Sequence, residues 1–258
     1  MDHAMEVYLK YLGLEQLSQR WDEYLKDAAR EKISYQHLLT TIITNEYHYL
    51  LEKRRLARLK AASIPQLLVM ETFPFQHQPN LKKKLVMELY DSLRFMTECQ
   101  VLLFIGPTGC GKTGLATSFL VHAINKEYRG RCIDFKDLLR QLNASIADHS
   151  EKHVLKRFAS IGCLLIDEMG YSSLDKQEAG LFFDLIKMRH RKQCTIITSQ
   201  LGFDEWESFI IDRHLTAAIL DRITENCTVF NMSKCISLRQ KKILYATNKD
   251  KPDTTTNT

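Results

Sequence analysis

The sequence predicts an α/β protein, a parallel sheet flanked by helices, with a small all-α domain in front of it. Three observations carry this expectation. From about residue 81 onward, short apolar runs alternate with longer segments of helical period, the rhythm that parallel strands joined by crossover helices impose. Residues 1 to about 62 hold no proline and only Gly13, and their leucines recur near helical spacing. A glycine-rich loop ending in Lys112 and Thr113 directly follows the first apolar run, the strand, loop and helix context of a phosphate-binding loop.

The bulk numbers narrow the class. With 258 residues, 45% hydrophobic and 26% charged, the chain suits one large globular domain or a standard domain with an attachment. A net charge of +5 permits nucleic-acid binding without demanding it. The N-terminus carries Asp2 and Glu6 and lacks an apolar signal segment. No apolar run approaches the length of a membrane span. The seven cysteines form no Cys-x-x-Cys pair, which argues against a zinc site. A reducing cytoplasm is the expected home.

Taken in order, residues 1–64 read as the helical domain. Leu9, Leu12, Leu14 and Leu17 mark one apolar face, and Leu38, Leu39, Ile42 and Ile43 mark another. Ser34 is placed to cap a helix running to about Lys60, which Pro65 ends. Residues 65–80 hold three of the five prolines together with Phe73 and Phe75; we read them as a linker with aromatic anchors. Residues 81–247 form the α/β domain, opening with a helix over 81–96. Its strands are expected at 101–105, 132–135, 163–166, 195–198 and 227–231. Residues 248–258 are polar and rich in threonine, the composition of a disordered tail.

Gly106-Pro107-Thr108-Gly109-Cys110-Gly111-Lys112-Thr113 matches G-x-x-x-x-G-K-[ST]. Its glycines let backbone N–H groups converge on phosphates. The helix that follows, from Thr113 to about Tyr128, aims its positive end at them. In this motif Lys112 reaches the β- and γ-phosphates of a nucleotide such as ATP, and the Thr113 hydroxyl binds Mg²⁺.

The run 163–166 ends in Asp167 and Glu168. The first acid is expected to support Mg²⁺ opposite Thr113, and the second to act as general base on the attacking water. The run 195–198 leads into Ser199 and Gln200; Gln200 is a candidate to orient that water, the alternative being a polar strand end facing solvent. Arg222 closes an apolar helical run. It is a candidate to stabilise the transferring phosphoryl group from a neighbouring subunit, or else to complement its own helix dipole or Asp221. Arg239 is a second candidate contact to the γ-phosphate.

Between Lys53 and Lys84 there are eight basic residues and one acid, Glu71. Arg54, Arg55 and Arg58 lie at helical spacing, and with Lys60 they form a candidate phosphate-tracking face for DNA. The alternative is a solvated face. No recognition-helix signature is present, so backbone and shape contacts are expected.

The chain resembles the AAA+ ATPases of the IstB-like transposition helpers, relatives of the bacterial DnaC helicase loader, over roughly residues 5 to 245. The resemblance rests on the phosphate loop, on the segment from Leu164 through Asp167-Glu168-Met169-Gly170-Tyr171, on Thr198-Ser199-Gln200 with Phe203 and Trp206, and on Ala217 through Ile223. It implies a P-loop AAA+ core behind a helical N-terminal domain. It also implies a homo-oligomer that uses ATP and Mg²⁺ to assemble on duplex DNA, remodel it and deliver it to a partner transposase. By position, Glu168 is the catalytic base, Arg222 the finger acting in trans, and Gln200 and Arg239 the sensors. Three positions depart from the family pattern. Gln200 stands where Asn is usual, Gly114 where His is usual, and the segment leading to Arg239 keeps only Ser237 and Arg239 of its motif. A helicase loader and a nucleotide-gated DNA-binding module without turnover are the alternatives these residues leave open.

Overall fold

The computed structural model describes residues 1–170, 173–210 and 212–235. The chain divides into two compact units, Met1–Arg58 and Leu59–Thr258.

The first unit is helical. Helix α1 spans His3–Leu12 and α2 spans Glu15–Glu31, and α3 runs from Tyr35 to Ala61, past the unit boundary. The leucine pattern expected as one stretch is broken at Gly13, whose φ of 73° ends α1. Ser34 caps α3 as expected, its hydroxyl accepting from the His37 N–H at 3.2 Å. Helix α2 follows Leu14, which offers no capping side chain. Glu46 on α3 supplies the missing acceptor: its buried carboxylate takes the Leu17 N–H at 2.9 Å. Further polar bonds cross between the helices, from Asn45 to Tyr24 and from Tyr49 and Lys53 to Glu15.

The second unit is the expected α/β fold. Its elements run α4 (Lys83–Ser92), α5 (Arg94–Thr97), β1 (Val101–Ile105), α6 (Lys112–Asn125), β2 (Gly130–Asp134), α7 (Phe135–Ala147), α8 (Glu151–Ala159) and β3 (Cys163–Met169). Then come α9 (Lys176–Arg189), β4 (Cys194–Ser199), α10 (Trp206–Phe209), α11 (Arg213–Thr224) and β5 (Cys227–Asn231). All strands pair in parallel, in the order β2-β3-β4-β1-β5. The helix expected over 81–96 is interrupted at Leu93, which turns left-handed (φ 53°) between α4 and α5.

The strands read as unbroken apolar runs because both faces are covered. Leu103, Ile105, Ile133, Leu164, Ile166 and Ile197 face one core, with Phe158 and Phe182. Their neighbours Leu102, Phe104, Leu165 and Ile196 face the other, with Phe95 and Phe119. The stretch 65–80, read as a linker, is packed into this second core through Met70 and Phe73, and Phe73 meets Phe75 edge-on at 4.9 Å. Arg189 is buried too, held by the carbonyls of Phe158, Ile161 and Cys194 and by the Thr195 hydroxyl. Burial lowers its guanidinium to about 10. Among the described residues, no helix is long and apolar enough to cross a membrane.

Candidate functional site

The phosphate loop leaves the C-terminal end of β1, which lies between β4 and β5. This is where open parallel sheets hold ligands. Gly109 and Gly111 take φ values of 85° and 99°, which side chains disfavour. Gly106 is needed for closeness: a Cβ there would lie 2.8 Å from the Met232 carbonyl carbon. Met232 follows β5 and donates its N–H to the Ile105 carbonyl at 2.7 Å. The strand beside β1 thereby fixes the start of the loop. Lys112 opens α6, and its ammonium rests on the carbonyls of Gly106 at 2.6 Å and Pro107 at 2.9 Å. Cys110 is fully buried, and burial pushes its thiol up, which disfavours the nucleophilic thiolate.

Strand β3 brings the two acids to the loop. The Thr113 hydroxyl donates to Asp167 Oδ1 at 3.0 Å. The Thr198 hydroxyl donates to the same oxygen and accepts the Glu168 N–H at 2.9 Å. Asp167 and Glu168 together oppose the one residue Thr198, a bulge between β3 and β4. Glu168 sits at φ 60° with its side chain exposed. That conformation costs a non-glycine residue of order 1–3 kcal/mol. Its effect is to point two successive carboxylates in different directions, Asp167 toward Thr113 and Glu168 outward.

Gln200 lies just past β4, the strand between the loop strand and the acid strand. Its Oε1 accepts from the Thr108 hydroxyl of the loop at 3.0 Å. Its Nε2 is buried and has no hydrogen-bond partner among the described residues. A free donor beside a phosphate loop suits a phosphate oxygen or a water. The longer arm of Gln therefore does reach the loop.

Arg222 is placed elsewhere. It stands in the last turn of α11, donates to the Ala218 carbonyl at 2.9 Å and lies 4.7 Å over the Phe183 ring. It lines a small crevice with Val101, Thr195 and Asn226, at the N-terminal ends of β1 and β4. The phosphate loop is at the other end of β1, about 13 Å away along the strand. Arg222 is thus on the side of the sheet remote from its own loop. Arg239 lies outside the described residues, as does the tail 248–258.

The basic residues of α3 differ among themselves. Arg54 and Lys60 are exposed, and Arg58 is half-buried. Arg55 turns onto Glu52 of its own helix at 2.6 Å, so the three arginines are not equivalent on one open face. Lys53 is paired with Glu15.

Thr198 was not singled out from sequence, although it contacts both acids. Its signal was available, as a hydroxyl side chain at the C-terminal end of a buried strand. Trp206 of the Phe-x-x-Trp pattern is wholly buried in the core, and the segment after it bridges to Leu174. That residue of the pattern is structural.

The family described as "IstB-like ATP binding protein" matches residues 7–246. The chain is 31% identical over 241 residues to a protein named for ATP binding in insertion sequence IS21 of Pseudomonas aeruginosa, covering 93% of this chain and 91% of the relative. It is 30% identical over 251 residues to the corresponding protein of insertion sequence IS5376 of Geobacillus stearothermophilus, covering 97% and 100%. Among solved structures, the AMPPCP-bound DnaA of Aquifex aeolicus aligns with a TM-score of 0.55 at 16% identity, over 76% of this chain and 58% of that one. The crystal structure of a DNA replication initiation factor aligns with a TM-score of 0.54 at 16% identity, over 70% and 54%. The likeness to these two is one of fold alone.

Proposed function

This chain belongs to the family of IstB-like ATP-binding proteins, and from that premise we propose that it hydrolyses ATP as the helper of an insertion sequence. In this reading it assembles with copies of itself on duplex DNA and delivers that DNA to a partner transposase. The observation that carries the ATPase reading is the closure of the phosphate loop on the acid strand, Thr113 against Asp167 at 3.0 Å, with Glu168 displaced outward by the bulge.

Each residue then has a task. Lys112 exchanges its two loop carbonyls for β- and γ-phosphate oxygens, a stronger partner for an ammonium. Thr113 and Asp167 form an all-oxygen donor pair of the kind Mg²⁺ takes beside phosphate. The ion would neutralise phosphate charge there. Glu168 accepts a proton from the attacking water. Gln200 donates Nε2 to that water or to the γ-phosphate. Arg222, too far from its own loop, serves the site of the adjacent subunit. Exposed Arg54 and Lys60, with Arg58, supply phosphate contacts to DNA, and the partner transposase reads the assembled complex.

Glu168→Gln tests the catalytic assignment. The variant should bind ATP with unchanged affinity while steady phosphate release falls about 100-fold or more. Turnover within about twofold of the parent would leave under 0.5 kcal/mol of barrier at stake and remove Glu168 as the base.

A further inference from the structure

Two amides flank the phosphate loop, and each has one buried atom without a hydrogen-bond partner among the described residues. Gln200 offers a donor, as described. Gln78 offers the opposite. It is 0% exposed and follows the short 3₁₀ turn Phe75–His77. Its Nε2 donates to the carbonyl of Cys110, inside the loop, at 2.6 Å. A carbonyl can only accept, so this bond fixes which half of the amide is nitrogen. Its Oε1 is then the other half, buried and without a hydrogen-bond partner among the described residues.

An acceptor left so costs about 1–3 kcal/mol, and native proteins rarely leave one without a reason. The loop binds phosphates, yet ionised phosphate oxygens only accept hydrogen bonds. Oε1 cannot serve them. The donors on a nucleotide belong to its nucleoside: the ribose hydroxyls and the exocyclic amine of the base. Adenine presents an amine where guanine and hypoxanthine present a carbonyl oxygen, which would meet Oε1 as acceptor against acceptor.

We propose that Gln78 selects the base: its Oε1 accepts a hydrogen bond from the exocyclic amine of adenine while its Nε2 holds the loop. The inference rests on the nucleotide-binding reading of the loop and deepens it. Gln78 ties the base to the phosphates through one side chain, because the amide that reads the amine also steadies the Cys110 carbonyl.

The test is a titration of the full chain, with Mg²⁺, against ATP, inosine triphosphate, purine riboside triphosphate (which lacks only the amine) and 2′-deoxyadenosine triphosphate. The parent should bind ATP about tenfold or more tightly than the two analogues without the amine, and 2′-deoxyadenosine triphosphate as well as ATP. Gln78→Leu should bring ATP and inosine triphosphate to within about twofold of each other, the scale of the lost bond. Equal weakening of all four nucleotides, with the ratios kept, would show that Gln78 only braces the loop and would overturn the proposal. Loss of a ribose preference instead of a base preference would overturn it as well. If Gln78→Leu does not fold, the parent alone decides, since equal affinity for ATP and purine riboside triphosphate refutes an amine contact. A parent that binds none of the four would refute the nucleotide reading itself, a separate outcome.

Discussion

Phe119, in the second unit, is wholly buried and meets Phe95, Phe104, Phe230 and Tyr90. Ile43, on α3 of the first unit, is 67% exposed, and so for the most part are Tyr35, Leu39 and Tyr47 at steps of four along the same helix. The second unit is held by two apolar cores on the faces of a sheet. The first buries only Leu9 and Tyr24 among its apolar side chains, and its helices meet through bonds to Glu46, Tyr24 and Glu15. A unit of this size with so little apolar burial is marginal by itself. The contrast teaches where chemistry can be preorganised. Rigid packing lets the second unit hold Asp167 and Gln200 against one loop, and the first unit offers surface and charge instead.

Core truncation should separate the units most sharply. Phe119→Ala should cost about 3–5 kcal/mol in urea unfolding, whereas Ile43→Ser should stay within about 0.5 kcal/mol. A cost above about 1 kcal/mol for Ile43→Ser would mean that its face is covered in solution, as the core of the second unit is. A subtler change tests preorganisation. Thr198→Val keeps shape but removes the hydroxyl that serves both acids, so phosphate release should fall about tenfold with ATP affinity nearly unchanged. Equal rates would reduce Thr198 to filler. On the first unit, Arg54→Ala with Arg58→Ala should weaken binding to all duplex sequences alike and flatten the salt dependence by up to roughly 0.9 per lost contact. An unchanged slope would leave this face merely solvated.

The second unit was legible because its signals are local. The run 101–105, the loop 106–113 and the acids after 163–166 each announce themselves within a few residues, and a parallel sheet places them at one end by topology. The bulge at Glu168 was not legible, since it depends on register with β4. Gln78 and Met232 were missed for a related reason: each acts on the loop from a distant part of the sequence. The stretch 65–80 has the prolines of a linker, yet Met70 and Phe73 found apolar surface to bury, which outweighs local chain preference. In the first unit, apolar residues at helical spacing predicted helices correctly. They did not predict which apolar residues would be buried, because that depends on partners the pattern does not name.

In the proposed assembly the site in one subunit would need Arg222 from the next, since Arg222 shares a crevice with Val101 and Thr195 at the end of the sheet away from the loop. Mixing Lys112→Ala with Arg222→Ala tests it directly. Each variant alone should hydrolyse ATP only at background. In an equal mixture with DNA present, random assembly pairs an intact loop with an intact arginine at roughly a quarter of the interfaces, so phosphate release should recover toward that fraction of the parent rate. A pull-down with differently tagged subunits establishes that mixed assemblies form. If they form and phosphate release stays at background at every mixing ratio, the shared site is contradicted.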